Sequence, residues 1–168
     1  MKTELKFGVG FALAVIVYVL IEHFLGFNST NHKIGQYSRV LTLILPVLAT
    51  YYGIRAKRND QFGVLTFGQE VKTGLLIAII QTTLTTLWFL LYAAVINPDF
   101  LQTLIRFERS SMAAAGAIEP EIAPRIERLR WMYSFPVMPV FQFVIGTAFG
   151  TLCAVVFSWF LEKKGGDA

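Results

Sequence analysis

The sequence predicts an all-α integral membrane protein, a four-helix bundle with an amphipathic helical segment between its third and fourth spans. Two features of the composition predict a membrane protein. Hydrophobic residues make up 55% of the 168 residues and charged residues only 15%, whereas soluble domains carry about 25% charge. Mean hydropathy is +0.56. A soluble core of this size could not hide so much apolar surface, so we expect the surrounding solvent to be lipid.

The apolar residues fall in four stretches that are long enough, or nearly so, to cross about 30 Å of hydrocarbon. We expect one domain over 1–168 with spans at about 7–27, 38–54, 70–96 and 137–161. The second is the shortest, and Arg39 and Arg55 frame it. Pro46 lies inside it and should kink the helix, freeing a backbone carbonyl that Thr42 or a neighbour could bond.

The third helix should begin well before its apolar run. Thr66 and Gln69 have the spacing of a capping box, in which each side chain bonds the other residue's backbone N–H. A helix from Thr66 to Ile96 would be about 46 Å long, which exceeds the hydrocarbon thickness. Its first turns, with Glu70 and Lys72, are therefore expected in the cytoplasmic headgroup layer.

The distribution of basic residues sets the expected orientation. With four spans, both chain ends and the loop over 55–72 share one side, which carries eight Lys and Arg residues against seven on the other. The compact clusters at helix ends, at 55–58 and 163–164, favour cytoplasmic termini. The basic start at Lys2 and Lys6 also fits a signal peptide, but no small-residue cleavage site follows, so we expect a retained span.

An amphipathic helical segment is predicted over about 98–133. Asn97, Pro98 and Asp99 are typical of a helix start, with Asn as the cap. Apolar residues then recur at helical spacing. One interpretation is an interfacial hairpin with its apolar face toward the membrane, anchored by Trp131 and Tyr133. The other is a docking surface for a partner protein or a lipid headgroup, although its five basic and five acidic residues argue against a dedicated anionic-lipid patch.

Small residues recur at every fourth position in the last two spans. Close backbone approach at such residues supplies van der Waals contact between helices in lipid. We expect packing at Gly74, Ala78, Gly146, Gly150 and Ala154. The seams could join helices within one chain or form a homodimer interface.

A candidate intramembrane polar site comprises Glu22, His23, Arg39, Gln81 and Thr85. Glu22 and His23 are the titratable groups within the first apolar stretch, and a carboxylate in a span is a functional candidate. The pair could relay protons, or Glu22 could simply pair with Arg39 at the outer edge. The polar groups of the third span could bond between helices or line a cavity.

Several functional classes are not expected. One Cys and two His predict neither a disulfide framework nor a metal site. The net charge of +4 comes from short clusters without a long basic stripe, so we expect no nucleic-acid partner. We find no phosphate-binding loop or nucleophile triad, and therefore expect neither an enzyme nor a cofactor.

Three segments resemble an uncharacterised bacterial family of small four-span membrane proteins, known only as a domain of unknown function. They are Tyr51-Tyr52-Gly53-Ile54-Arg55, Gly63-Val64-Leu65-Thr66-Phe67-Gly68-Gln69 with the following Lys72-Thr73-Gly74-Leu75-Leu76, and Asn97-Pro98-Asp99-Phe100. The Leu-Thr-Phe-Gly-Gln box is the most specific mark. The resemblance implies a protein of the bacterial cytoplasmic (inner) membrane and offers no catalytic residues.

Two functional hypotheses follow. The first is a non-catalytic accessory or scaffold protein that docks to another membrane protein. The second is a small oligomeric transporter or lipid-binding protein that uses Glu22 and the polar face of the third span. The expected partners are the lipid bilayer and either a membrane protein or further copies of the chain.

Overall fold

The computed structural model describes residues 2–63 and 65–165, with side chains as far as Leu161. Within these residues the secondary structure is helical, without strands, which confirms the all-α fold class. The helices are α1 (Lys2–Phe24), α2 (His32–Leu41), α3 (Ile44–Asp60), α4 (Phe67–Leu91, continued by a π-helical segment Tyr92–Ile96), α5 (Phe100–Ala114), α6 (Glu119–Met132) and α7 (Val137–Gly165). The side chains of Lys163 and Lys164, expected to anchor the terminus, lie outside the described part.

Within the described residues, four helical segments are long and apolar enough to cross a membrane: Lys2–Phe24, His32–Asp60, Phe67–Ile96 and Val137–Leu161. They pack together, which confirms the predicted membrane bundle. Helix α4 packs against α1, α3 and α7, and α3 also packs against α1 and α7. The small buried residues Ala12, Ala49 and Ala154 lie between the helices, which allows the backbones to approach closely.

The bundle has two chemically different ends. At the terminal end, Lys57 of α3 lies 3.1 Å from Glu4 of α1, and Arg58 donates a 2.7 Å hydrogen bond to the carbonyl of Leu161. The opposite end carries α2, α5 and α6, which we call the cap. His32 connects α2 to α5 within the cap, because its Nε2 lies 3.0 Å from the hydroxyl of Thr103 on α5.

The second span is interrupted one turn before Pro46, although its backbone stays in the right-handed helical region and the N–H groups of Thr42 and Leu43 bond carbonyls three residues back. It consists of two helices, α2 and α3, separated at Thr42 and Leu43, with Pro46 in the first turn of α3. Pro46 has no N–H to donate to the carbonyl of Thr42, and its ring crowds that carbonyl. The Thr42 hydroxyl instead donates to the carbonyl of Arg39 at 2.5 Å. The helical segment is also longer than predicted, because it begins at His32 and ends at Asp60.

The third span begins as its capping box predicts. Helix α4 starts at Phe67, and Gln69 Oε1 accepts the backbone N–H of Thr66 at 3.0 Å. Lys72 is exposed, but Glu70 is only 1% exposed and lies 3.3 Å from Arg58. Glu70 therefore faces the bundle, because the cation that partners it stands on the neighbouring helix α3, while the depth of this turn in the headgroup layer stays a prediction.

The amphipathic segment folds onto itself, so its predicted placement with the apolar face toward the membrane was wrong. The apolar faces of α5 and α6 bury each other, and the residues of this small core are Phe100, Leu104, Ile105, Ile122, Ile126 and Leu129. Burial between two helices removes the same surface from water as contact with lipid would. Trp131 remains 64% exposed, whereas Tyr133 packs on Phe100 with ring centroids 5.6 Å apart.

Helix α5 begins two residues later than the Asn-Pro-Asp pattern predicted. Its first residue is Phe100, and Asp99 stands at the cap position. Asn97 does not cap the helix. Its amide donates instead to the hydroxyl of Tyr92 at 3.1 Å and to the carbonyl of Asn28 at 3.0 Å. These bonds tie the start of the cap to the ends of α1 and α4.

Candidate functional site

A cavity of about 590 Å³ lies between α3, α4 and α7, in the half of the bundle nearest the cap, and we call it the bundle cavity. Ligand pockets in proteins usually enclose about 300–1,000 Å³. Most of its wall is apolar and includes Pro46, Phe141 and Phe149. The polar side chains in the wall are all uncharged: Thr42, Thr50, Gln81, Thr82, Thr85 and Gln142.

The helix break explains why a cavity forms here. Nearer the terminal end α3 and α7 are in contact, and the rings of Tyr51 and Phe157 lie 5.4 Å apart. Toward the cap, α3 begins only at Ile44, and the break at Thr42 and Leu43 forms one wall of the cavity. The first half of α7 forms the facing wall.

The floor of the cavity is the seam between α4 and α7. A Cβ atom on Gly150 would stand 2.5 Å from Cβ of Ala78, and one on Gly146 would stand 2.8 Å from Cγ2 of Thr82. A Cβ on Gly74 would collide with Cβ of Ala154. All five predicted packing residues therefore lie at contacts between α4 and α7 within one chain, and the glycines allow a backbone approach that any side chain would prevent.

The hydrogen bonding of the cavity wall is incomplete. The hydroxyls of Thr50 and Thr85 donate to carbonyls of their own helices, at 2.9 and 3.2 Å. Gln142 Oε1 is buried and has no hydrogen-bond partner among the described residues. A buried acceptor without a donor costs about 1–3 kcal/mol, a cost that a water molecule or a ligand donor at this position would remove.

The structure separates the predicted polar site into three parts. Gln81 and Thr85 line the bundle cavity. Glu22 and His23 lie at the cap end of α1, where His23 Nδ1 is 3.0 Å from the hydroxyl of Tyr92. Glu22 is 2% exposed, and its Oε1 has no hydrogen-bond partner among the described residues.

The Glu22–Arg39 pair that the sequence offered as one alternative does not form. Arg39 Nε donates to the carbonyl of Gly35 at 3.2 Å, and the Arg39 side chain lines a second cavity of about 270 Å³ between α2 and the α5–α6 pair, which we call the cap cavity. Helix α2 turns Arg39 toward α5 and α6, whereas Glu22 faces the end of the bundle. Arg125, Glu108 and Tyr133 also line the cap cavity.

Sequence reasoning missed two groups of buried polar residues. Asn28, Tyr92 and Asn97 bond one another where the cap meets the bundle. The sequence offered one signal for this group, because Asn28 and Asn97 directly follow apolar runs and Tyr92 lies near the end of one. The second group is the pair of buried carboxylates Glu4 and Glu70 at the terminal end, each in the first turn of its helix.

A third cavity, of about 330 Å³, lies beside this terminal-end group and is lined in part by Glu4, Lys57 and Lys72. The ion pair between Glu4 and Lys57 lies at its edge. In the described part of the chain, no group of three or more His, Cys, Asp or Glu side chains is placed to hold a metal ion.

Comparisons with known proteins identify a family whose function is not known. A family model described as "Protein of unknown function (DUF4199)" matches residues 6–163. No curated protein and no solved structure matches the chain. The match covers nearly the whole chain, including every helix that forms the bundle cavity.

Proposed function

The chain belongs to the DUF4199 family, whose description assigns no activity, and we propose that it binds an elongated, largely apolar molecule of the bilayer in the bundle cavity. The proposal is for binding without chemical conversion. It develops the lipid-binding hypothesis from the sequence but uses the polar face of the third span without Glu22.

The observation that carries this proposal is the bundle cavity itself. Its volume of about 590 Å³ is ample for a ligand, and its wall is mostly apolar. Three residues of the wall are also half exposed on the outside of the bundle: Leu43 at 52%, Phe141 at 55% and Ile145 at 51%. The cavity therefore lies beside surface that faces lipid, which gives a membrane-dissolved ligand a lateral route of entry.

The chemistry of the wall favours a lipid chain over an ion. Among the residues that line the bundle cavity there is no Asp, Glu, Lys, Arg or His. A charge placed there would lose its hydration without gaining a counter-charge. The side-chain amides of Gln81 and Gln142 suit a hydroxyl or an ester group on an otherwise apolar molecule.

Native mass spectrometry of protein extracted in mild detergent tests this proposal. We expect the wild-type chain to retain a lipid, and Thr85→Trp, which fills the cavity, to reduce retention at least about tenfold, or 1.4 kcal/mol. Thr83→Trp is the matched control, because Thr83 is exposed on the same helix and does not line the cavity. Equal retention by all three proteins would contradict the proposal.

The exposed apolar side chains of the cap favour a second function, that of an accessory or scaffold protein. Ile118 is 62% exposed and Trp131 64% exposed, and a protein partner that covered them would remove this apolar surface from water. Substitution of both by Ser should abolish co-purification of a membrane-protein partner. Leu13→Ser, on the 55% exposed face of α1, is the control. Unchanged co-purification by the cap variant would rule this function out.

We propose further that the protein lies in a bacterial cytoplasmic membrane with the terminal end in the cytoplasm. Exposed basic residues at this end support the orientation: Lys2, Lys6, Arg55 and Lys72. In a Cys153→Ser background, a membrane-impermeant thiol reagent should label Arg106→Cys in intact cells and Lys6→Cys only after permeabilisation. The reverse pattern would invert the orientation.

A further inference from the structure

We propose that the ligand of the bundle cavity is a phospholipid whose phosphate is bound by Arg39 in the cap cavity. The inference rests on the proposed function and names the class of ligand. It uses a residue that the bundle cavity does not contain, so the two can be tested separately.

The two cavities are built on the same two stretches of chain. Arg39 lies in the last turn of α2 and lines the cap cavity, while Thr42 and Leu43, directly after it, line the bundle cavity. The hydroxyl of Thr42 bonds the carbonyl of Arg39. On the other wall, Tyr133 lines the cap cavity and Met138, in the next helix, lines the bundle cavity. No residue lines both cavities, but Arg39 and Thr42 lie one helical turn apart, so the cap cavity is adjacent to the cap-end side of the bundle cavity.

The charges in the cap cavity leave one cation for an anionic ligand. Its lining contains two cations, Arg39 and Arg125, and one anion, Glu108. Arg125 Nη2 lies 3.6 Å from Glu108 Oε1, so Glu108 is taken by Arg125. Arg39 is half-buried, and across the described residues no carboxylate lies within ion-pairing distance of it.

The guanidinium of Arg39 still has unused donors. Its Nε donates to the carbonyl of Gly35 at 3.2 Å, which orients the group, and among the described residues neither Nη atom has a protein acceptor. A fixed guanidinium with two free Nη atoms matches the geometry of a phosphate, which it can bond through two oxygens.

Exposed aromatic residues place Arg39 at the depth of the phosphates. Tyr37 is 68% exposed two residues before Arg39, and Trp131 on α6 is 64% exposed. Amphipathic aromatic rings collect at the headgroup level of a membrane. A phospholipid with its phosphate on Arg39 would then extend an acyl chain past Thr42 into the bundle cavity.

Competition between two lipids with identical acyl chains tests the inference. Native mass spectrometry should show that wild-type protein retains phosphatidylglycerol over diacylglycerol by at least about tenfold. Arg39→Gln should remove this preference and still retain diacylglycerol. Arg106→Gln, an exposed arginine on α5 outside both cavities, should keep the wild-type preference. Arg39→Lys keeps the charge without the paired donors and should give an intermediate preference.

Each contrary outcome has a defined meaning. A preference for phosphatidylglycerol that survives in Arg39→Gln would overturn the phosphate contact and leave the proposed function intact. Equal loss of both lipids in a folded Arg39→Gln protein would also overturn it, because the residue would then support the cavity and not the phosphate. Failure of the wild-type chain to retain either lipid would instead contradict the proposed function.

Discussion

Arg58 Nη1 lies 3.3 Å from Glu70 Oε1, and Glu70 is among the least exposed residues of the bundle at 1%. The same nitrogen donates to the backbone carbonyl of Leu161 at 2.7 Å. One guanidinium on α3 thus contacts α4 and α7 together. This contact fixes the three helices at the end of the bundle opposite the cap.

Replacement of Arg58 by Met should strongly destabilise the protein, because it leaves the buried Glu70 carboxylate without this cation. Breaking one side of a buried ion pair costs about 3–5 kcal/mol. Arg55→Met is the matched control, since Arg55 is exposed on the same helix, and it should cost less than about 1 kcal/mol. Thermal unfolding in detergent measures both. Similar losses in the two variants would show that the pair contributes little.

Gly150→Ala should destabilise the bundle, although Ala is the better helix former. The added Cβ would stand 2.5 Å from Cβ of Ala78, so α4 and α7 would have to separate, at a cost of about 1–3 kcal/mol. Gly10→Ala on α1 has open space around its Cβ and should stabilise the protein by about 0.5–1 kcal/mol. The midpoints of thermal unfolding of the two variants should therefore shift in opposite directions. Shifts in the same direction would contradict close packing of α4 and α7 at Gly150.

The features of the fold that depend on a single helix could be predicted from the sequence. Hydropathy predicted the four membrane helices, and the capping box at Thr66 predicted the start of α4 within a residue. Pro46 predicted a distortion but not an interruption of the helix at Thr42 and Leu43, because the form of the distortion depends on how α2 docks onto α5 and α6. The burial of Glu70 could not be predicted for the same reason, since its cation comes from another helix.

The candidate site was predictable only in part. Helical spacing placed Gln81 and Thr85 on one face, and that face does line a cavity. It could not show that Arg39 turns toward the cap and away from Glu22, because two residues at one membrane depth can lie on opposite sides of a helix pair. The cavity itself depends on the gap between α3 and α7, which no single span reveals.

Tyr92→Phe should weaken the junction between the bundle and the cap. The Tyr92 side chain is 1% exposed, and its hydroxyl accepts the amide of Asn97 at 3.1 Å and lies 3.0 Å from His23 Nδ1. Loss of the hydroxyl leaves these groups buried without that partner, which costs about 1–3 kcal/mol. Faster amide exchange over 92–100 should report the loosening. Tyr37→Phe, at a 68% exposed position, should leave the exchange unchanged.

Glu22→Gln should leave the stability unchanged or raise it, and should leave lipid retention unchanged. Glu22 Oε1 is buried without a hydrogen-bond partner among the described residues, and Arg39 is directed elsewhere. A buried carboxylate without a cation opposes folding, and an amide of the same shape avoids the cost of burying a charge. Thermal unfolding checks the stability, and native mass spectrometry checks the lipid. A loss of more than about 1 kcal/mol of folding stability would reveal an ionic partner for Glu22. A loss of bound lipid would show that Glu22 contributes to the binding site.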